Sequence, residues 1–157
     1  MKKIILVLIP ILLITGCTVK DNMTVDYNKY MNNLLSSNEN SEQIPCDIEI
    51  TYDKISDTQF SYQIVLDNPK EDMRNINVVV SHNMETHDGY PSIGVFDEEP
   101  INLMVERTED DKNKGIVLVG YIDYAGAKED FHPEIKLLIN YVNSAIEEKT
   151  IYYTKTI

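Results

Sequence analysis

From Cys46 onward the apolar side chains recur at every second position, and that period confines the chain to strands with one face buried. Ile48 and Ile50 alternate with Asp47, Glu49 and Thr51. Phe60, Tyr62, Ile64 and Leu66 alternate with Ser61, Gln63, Val65 and Asp67. Ile76, Val78 and Val80 alternate with Asn75, Asn77 and Val79. Asn68-Pro69 ends the second run, because proline cannot donate to a ladder and restricts the residue before it. The pattern predicts further strands at 93–96, 101–107, 115–124, 134–142 and 147–155. The stretch from Gly115 to Tyr124 is apolar on both faces, which predicts a central strand. Gly120 inside it marks a bulge or the close approach of a neighbour. Asn143-Ser144-Ala145-Ile146 reads as a hairpin loop, and Asp111 to Gly115 as another turn.

About eight short strands at intervals of roughly ten to fifteen residues, with few helical windows, predict an all-β fold. The expected architecture is an immunoglobulin-like two-sheet antiparallel sandwich of about seven to eight strands over residues 46–157. A small closed barrel is the alternative. No Cys…Trp…Cys core is available, since tryptophan is absent. Upstream, Val25, Tyr27, Tyr30, Met31, Leu34 and Leu35 fall at helical spacing, so a short helix is expected over 24–36. The polar run from Ser36 to Glu42 has little to bury and reads as a loop. Residues 17–45 are thus expected to form a stalk whose helix either docks on the body or frays.

Residues 1–16 have a different character. Lys2 and Lys3 precede an uncharged apolar run from Ile4 to Ile14, interrupted by Pro10. A spanning helix needs about 20 apolar residues for roughly 30 Å of hydrocarbon, so this run is too short for a permanent anchor. It has the layout of a secretory signal peptide. Its end, Ile14-Thr15-Gly16-Cys17, resembles the lipobox of bacterial lipoproteins, usually Leu-Ala/Ser-Gly/Ala-Cys, with Ile for Leu and Thr for Ala or Ser. The resemblance covers residues 1–17. It implies a diacylglyceryl group (palmitate-type chains) on the Cys17 sulfur, and cleavage between Gly16 and Cys17. The expected location is therefore the extracytoplasmic face of the cell membrane, anchored by lipid. The body resembles, loosely, small uncharacterised Gram-positive lipoproteins, a likeness that implies no activity.

Charge narrows the partners. The chain carries a formal −12, and cleavage would remove Lys2 and Lys3 as well. Nucleic-acid phosphates would repel such a body, so no nucleic-acid partner is expected. Two cysteines are present. With Cys17 alkylated, Cys46 has no disulfide partner within the chain, and the domain must rest on its core alone. Cys46 reads as a buried filler at the start of a strand, the other reading being a reactive thiol that pairs between molecules.

The one concentration of special side chains is His82-Asn83-Met84-Glu85-Thr86-His87-Asp88. Imidazole and thioether suit copper, and imidazole with carboxylate suits zinc, so His82, Met84 and His87 are candidate metal ligands. Met73 and His132 join them only if the fold brings them near. The acidic runs Asp97-Glu98-Glu99 and Glu109-Asp110-Asp111 lack the alternating pattern of a calcium loop. Hydrolase motifs and a glycine-rich phosphate cradle are missing. Ten tyrosines against three phenylalanines suit half-buried strand faces and also recognition surfaces. Gly89-Tyr90-Pro91-Ser92 is the first expectation for an outward contact, and loops 81–92 and 124–133 for function. The function expected is a non-catalytic binding or structural module without a resident cofactor, for a protein or carbohydrate ligand. The alternative is a copper- or zinc-binding envelope protein.

Overall fold

The computed structural model describes residues 19–107 and 115–157. The signal segment at 1–16, Cys17, the acidic run at 109–111 and residues 111–114 of the expected turn lie outside them. Among the described residues, one α-helix, α1 (Val19–Ser36), precedes seven strands: β1 (Asp47–Ser56), β2 (Gln59–Asp67), β3 (Arg74–His82), β4 (Ser92–Ile93), β5 (Ile116–Asp123), β6 (Glu134–Val142) and β7 (Glu148–Thr156). They form two antiparallel sheets, ordered β1-β2-β5 and β4-β3-β6-β7. This is the expected two-sheet sandwich, with β4 paired to β3.

The alternation sets what lies between the sheets. Phe60, Tyr62, Ile64 and Leu66 of β2 face Ile76, Val78 and Val80 of β3 and Ile135, Leu137, Ile139 and Tyr141 of β6 in one buried core. Phe131, from the β5–β6 connection, plugs one end and stacks on Phe60 at 4.0 Å between ring centroids.

A second, smaller core lies on the outer face of the four-stranded sheet. There Met31 and Leu34 of α1 pack on Val79, Val95 and Leu138. The Tyr30 hydroxyl donates to Asn140 Oδ1 at 3.2 Å. The helix therefore docks, and the segment expected as a stalk forms a third layer of the body. Beyond it, Ser41 N–H donates to the Tyr152 carbonyl at 2.8 Å. Ser41 Oγ accepts from Tyr152 N–H and Asn40 Oδ1 from Thr154 N–H. The presumed loop thus covers the outer edge of β7. Among the described residues, no helix is long and apolar enough to cross a membrane.

Three strand expectations are corrected. Residues 101–107 form no strand and contribute only a bridge between Met73 and Leu103. The strand at 93–96 shrinks to Ser92–Ile93, because Gly94 turns the chain at φ 83°, where a Cβ would lie 1.9 Å from the Ile76 carbonyl oxygen. The strand at 115–124 exists, but at a sheet edge and not at the centre. Its second apolar face, Val117, Val119 and Tyr121, looks to solvent. Gly120 proves a site of close approach. It pairs with Tyr62 in unbroken register, and a Cβ there would lie 2.3 Å from the Tyr62 ring.

Candidate functional site

The end of the sandwich formed by loops 81–92 and 124–133 holds the residues singled out by sequence. His82 closes β3 on its inner face and is buried. Its Nδ1 lies 3.1 Å from the Met84 carbonyl, and the Tyr121 backbone of the other sheet also favours its protonated form. Tyr62 and Tyr90 stand edge-on to it, with centroids at 5.7 and 5.0 Å. Burial pushes the His82 pKa below its ordinary value, against the pull of the Met84 and Tyr121 backbones. A neutral imidazole keeps one N–H, which the Met84 carbonyl can accept when it sits on Nδ1.

His87 lies outside. Its backbone N–H and its Nδ1 are both 2.7 Å from Asp123 Oδ2, while Asp123 Oδ1 accepts from Gln59 at 3.3 Å. The carboxylate holds the His87 pKa above its usual value. The Met84 side chain packs on the main core. Met73 is buried at the far end of β3, and His132 is exposed in the β5–β6 connection. The fold thus places His82 inside the sandwich and His87 in water. A metal shared by His82, Met84 and His87 would require both histidines to leave their present partners. Among the described residues, no group of three His, Cys, Asp or Glu side chains is arranged to hold a metal ion.

Tyr90 does not project outward. It is half-buried between His82 and the second core, with its hydroxyl 3.5 Å from the His82 carbonyl. Loop 124–133 is likewise pinned. The Phe131 ring touches Tyr52 and Tyr124 at 5.3 and 5.4 Å, and the Tyr124 hydroxyl donates to the Asp130 carbonyl.

A concave site lies elsewhere, where residues 42–45 run past β7 and the β2–β3 connection. This groove of about 670 Å³ is lined by Ile44, Pro45, Lys70, Glu71, Tyr141 and Lys149, among others. The Tyr141 hydroxyl donates to Glu71 Oε1 at 2.6 Å; burial first, and the Glu71 carboxylate second, keep that phenol protonated far above its usual range. Lys149 pairs with Glu147 at 2.7 Å, and Lys70 donates to the Ile44 carbonyl at 3.2 Å. Ammonium, carboxylate and apolar surface thus share one cleft of a size typical for small ligands. Sequence reasoning missed it because Lys70, Tyr141 and Lys149 share no local spacing; they meet only when β7 lies beside the 42–45 strap. Cys46 sits behind the strap, buried, its thiol pushed up to about 11 by desolvation.

Comparison with models of protein families, with curated proteins and with solved structures finds no match.

Proposed function

We propose that this chain is a lipid-anchored extracytoplasmic lipoprotein whose sandwich serves as a non-catalytic binding module. The observation that carries the reading is Ile14-Thr15-Gly16-Cys17 at the end of a short apolar run, immediately ahead of the helix that begins at Val19. Two acyl chains at about 0.8 kcal/mol per buried methylene would hold such a chain firmly. Because α1 docks on the sheet, the anchor would hold the body close to the bilayer and not on a flexible tether. The groove beside residues 42–45 is the proposed contact, and its mixed charge and apolar floor suit a peptide or a charged carbohydrate.

Mass spectrometry of the chain from native membranes tests the anchor. The expected N-terminal peptide begins at Cys17 with an acyl mass, and Cys17→Ala should leave it uncleaved and unacylated. A peptide beginning at Met1 in the wild type overturns the reading. NMR titration with charged oligosaccharides and peptides tests the contact. Shifts are expected at Lys70, Tyr141 and Lys149; shifts confined to the His82 end would move the site there.

A further inference from the structure

The strap that runs from Asn40 to Pro45 changes partners along its length. At Ser41 its N–H donates to the Tyr152 carbonyl of β7 at 2.8 Å. At Pro45 its carbonyl accepts from Lys70 N–H of the β2–β3 connection at 2.7 Å. The groove opens where the strap crosses from one to the other, so β7 loses its cover on the Lys149 side of Tyr152. Tyr152 gives both its N–H and its C=O to the strap, which makes it a non-hydrogen-bonded partner of Leu138 in the ladder. Backbone groups alternate sides along a strand. Thr150, two residues back, therefore also turns its N–H and C=O away from β6. Its neighbours Lys149 and Ile151 line the groove. Among the described residues, the Thr150 N–H and C=O have no partner on that side.

Charge is balanced in this groove, in a chain where it is not. Lys70 and Lys149 stand against Glu42 and Glu71, whereas the whole chain carries −12. Glu71 is fixed through Oε1, which accepts from the buried Tyr141 hydroxyl at 2.6 Å. Its second oxygen has no hydrogen bond among the described residues. An ammonium has three donors. Lys149 spends one on Glu147, and Lys70 spends one on the Ile44 carbonyl. A held carboxylate, spare ammonium donors and an open strand position thus lie together.

We propose that the groove binds a short extended peptide with both termini free, lying along β7 at Thr150, its carboxylate on Lys70 and Lys149 and its ammonium on Glu71. The inference rests on the groove being the contact surface, as proposed above, and names its occupant. Two features select a peptide over a charged carbohydrate. The N–H and C=O of Thr150 are met by one residue of an extended chain, the way an added strand pairs with an edge. An acidic sugar carries only negative charge and would be repelled by Glu42 and Glu71, and an amino sugar would be repelled by the two lysines. A zwitterion meets both signs, and the terminal carboxylate and amine are recurrent handles for peptide capture.

The test is NMR titration of the full isotope-labelled chain with dialanine, trialanine and tetraalanine, each with free, N-acetylated or C-amidated ends. At least one free peptide should bind saturably, shift the Thr150, Lys149 and Lys70 amides, and slow exchange of the Thr150 N–H. Blocking either end should weaken it about tenfold, the loss of one charged hydrogen bond. With Lys70→Gln and Lys149→Gln combined, the free carboxylate should lose its advantage over the amide. Glu71→Gln keeps an oxygen for Tyr141; it should cancel the advantage of the free amine over its acetyl form and leave that of the carboxylate. A merely structural role would remove both advantages together, and that result would overturn the proposal. So would blocked peptides that bind as well as free ones, or no saturable binding up to about 10 mM. If charged oligosaccharides alone shift Lys70, Tyr141 and Lys149, the peptide is wrong and the groove stands. If neither class shifts them, the groove fails as the contact too.

Discussion

Tyr62 lies flat across Gly120 with its ring beside His82, and its hydroxyl is buried without a hydrogen-bond partner among the described residues. An unmade bond in the interior costs about 1–3 kcal/mol, whereas removing the orphaned group costs little. Tyr62→Phe should therefore stabilise the fold by about 1 kcal/mol, read as a higher urea midpoint at unchanged slope. A destabilised variant would mean that the hydroxyl has a partner after all.

Two histidines give stability opposite dependences on pH. His82 is held neutral by burial, so its folded pKa lies below the unfolded 6.5. The unfolded chain takes the proton first, so the stability His82 contributes is complete above pH 6.5 and drains away as pH falls below it. His87 is the reverse case: Asp123 raises its pKa, and its contribution is complete below pH 6.5 and lost as pH rises through the folded value. His87 is fully exposed, so its share is the smaller. Unfolding midpoints measured from pH 8 to pH 5 should fall, and His87→Gln should steepen that fall. Replacing His82 by Gln should flatten it, whatever its effect on the absolute midpoint.

At the level of elements, α1 is held by a narrow strip. Leu34 is 2% exposed against Val79 and Leu138, and Leu→Ala at such a site costs about 2–5 kcal/mol. Leu34→Ala should lose about 3 kcal/mol in urea unfolding, and amide exchange should quicken first in α1. If the helix frayed in solution, the same change would cost almost nothing. The helix was legible because Tyr27, Tyr30, Met31 and Leu34 keep the 3.6 period; its first turn was not, since residues 19–22 carry no such pattern. The strands β1, β2, β3, β6 and β7 were legible from period two. β5 was found but misplaced, because an apolar second face signals cover without saying whether a neighbouring strand or another molecule provides it. The cover that Asn40 and Ser41 give β7 was not legible at all: it depends on where a polar segment lies, and polar segments carry no period.

For the whole molecule, the sandwich followed from strand number and spacing, while the groove at Lys70, Tyr141 and Lys149 joins residues far apart in sequence and left no trace in it. The His82–His87 cluster shows the converse. Six residues of suggestive composition are split by the end of β3, one imidazole going to the core and the other to water. Cys46 lies in the main core, and counting its thiol also tests the proposed lipid anchor. It is 1% exposed with its thiol pushed up to about 11, and only a thiolate that reagent can reach reacts. In the folded chain at pH 7.5, Cys46 should resist a maleimide and become labelled only at the rate of global opening. In denaturant, one thiol per chain should then titrate if Cys17 is a thioether, and two if it is free. Fast native labelling at Cys46 would mean that the strap at 42–45 opens on its own. Two thiols in material extracted from its own membranes would remove the lipid anchor and leave the sandwich as it stands.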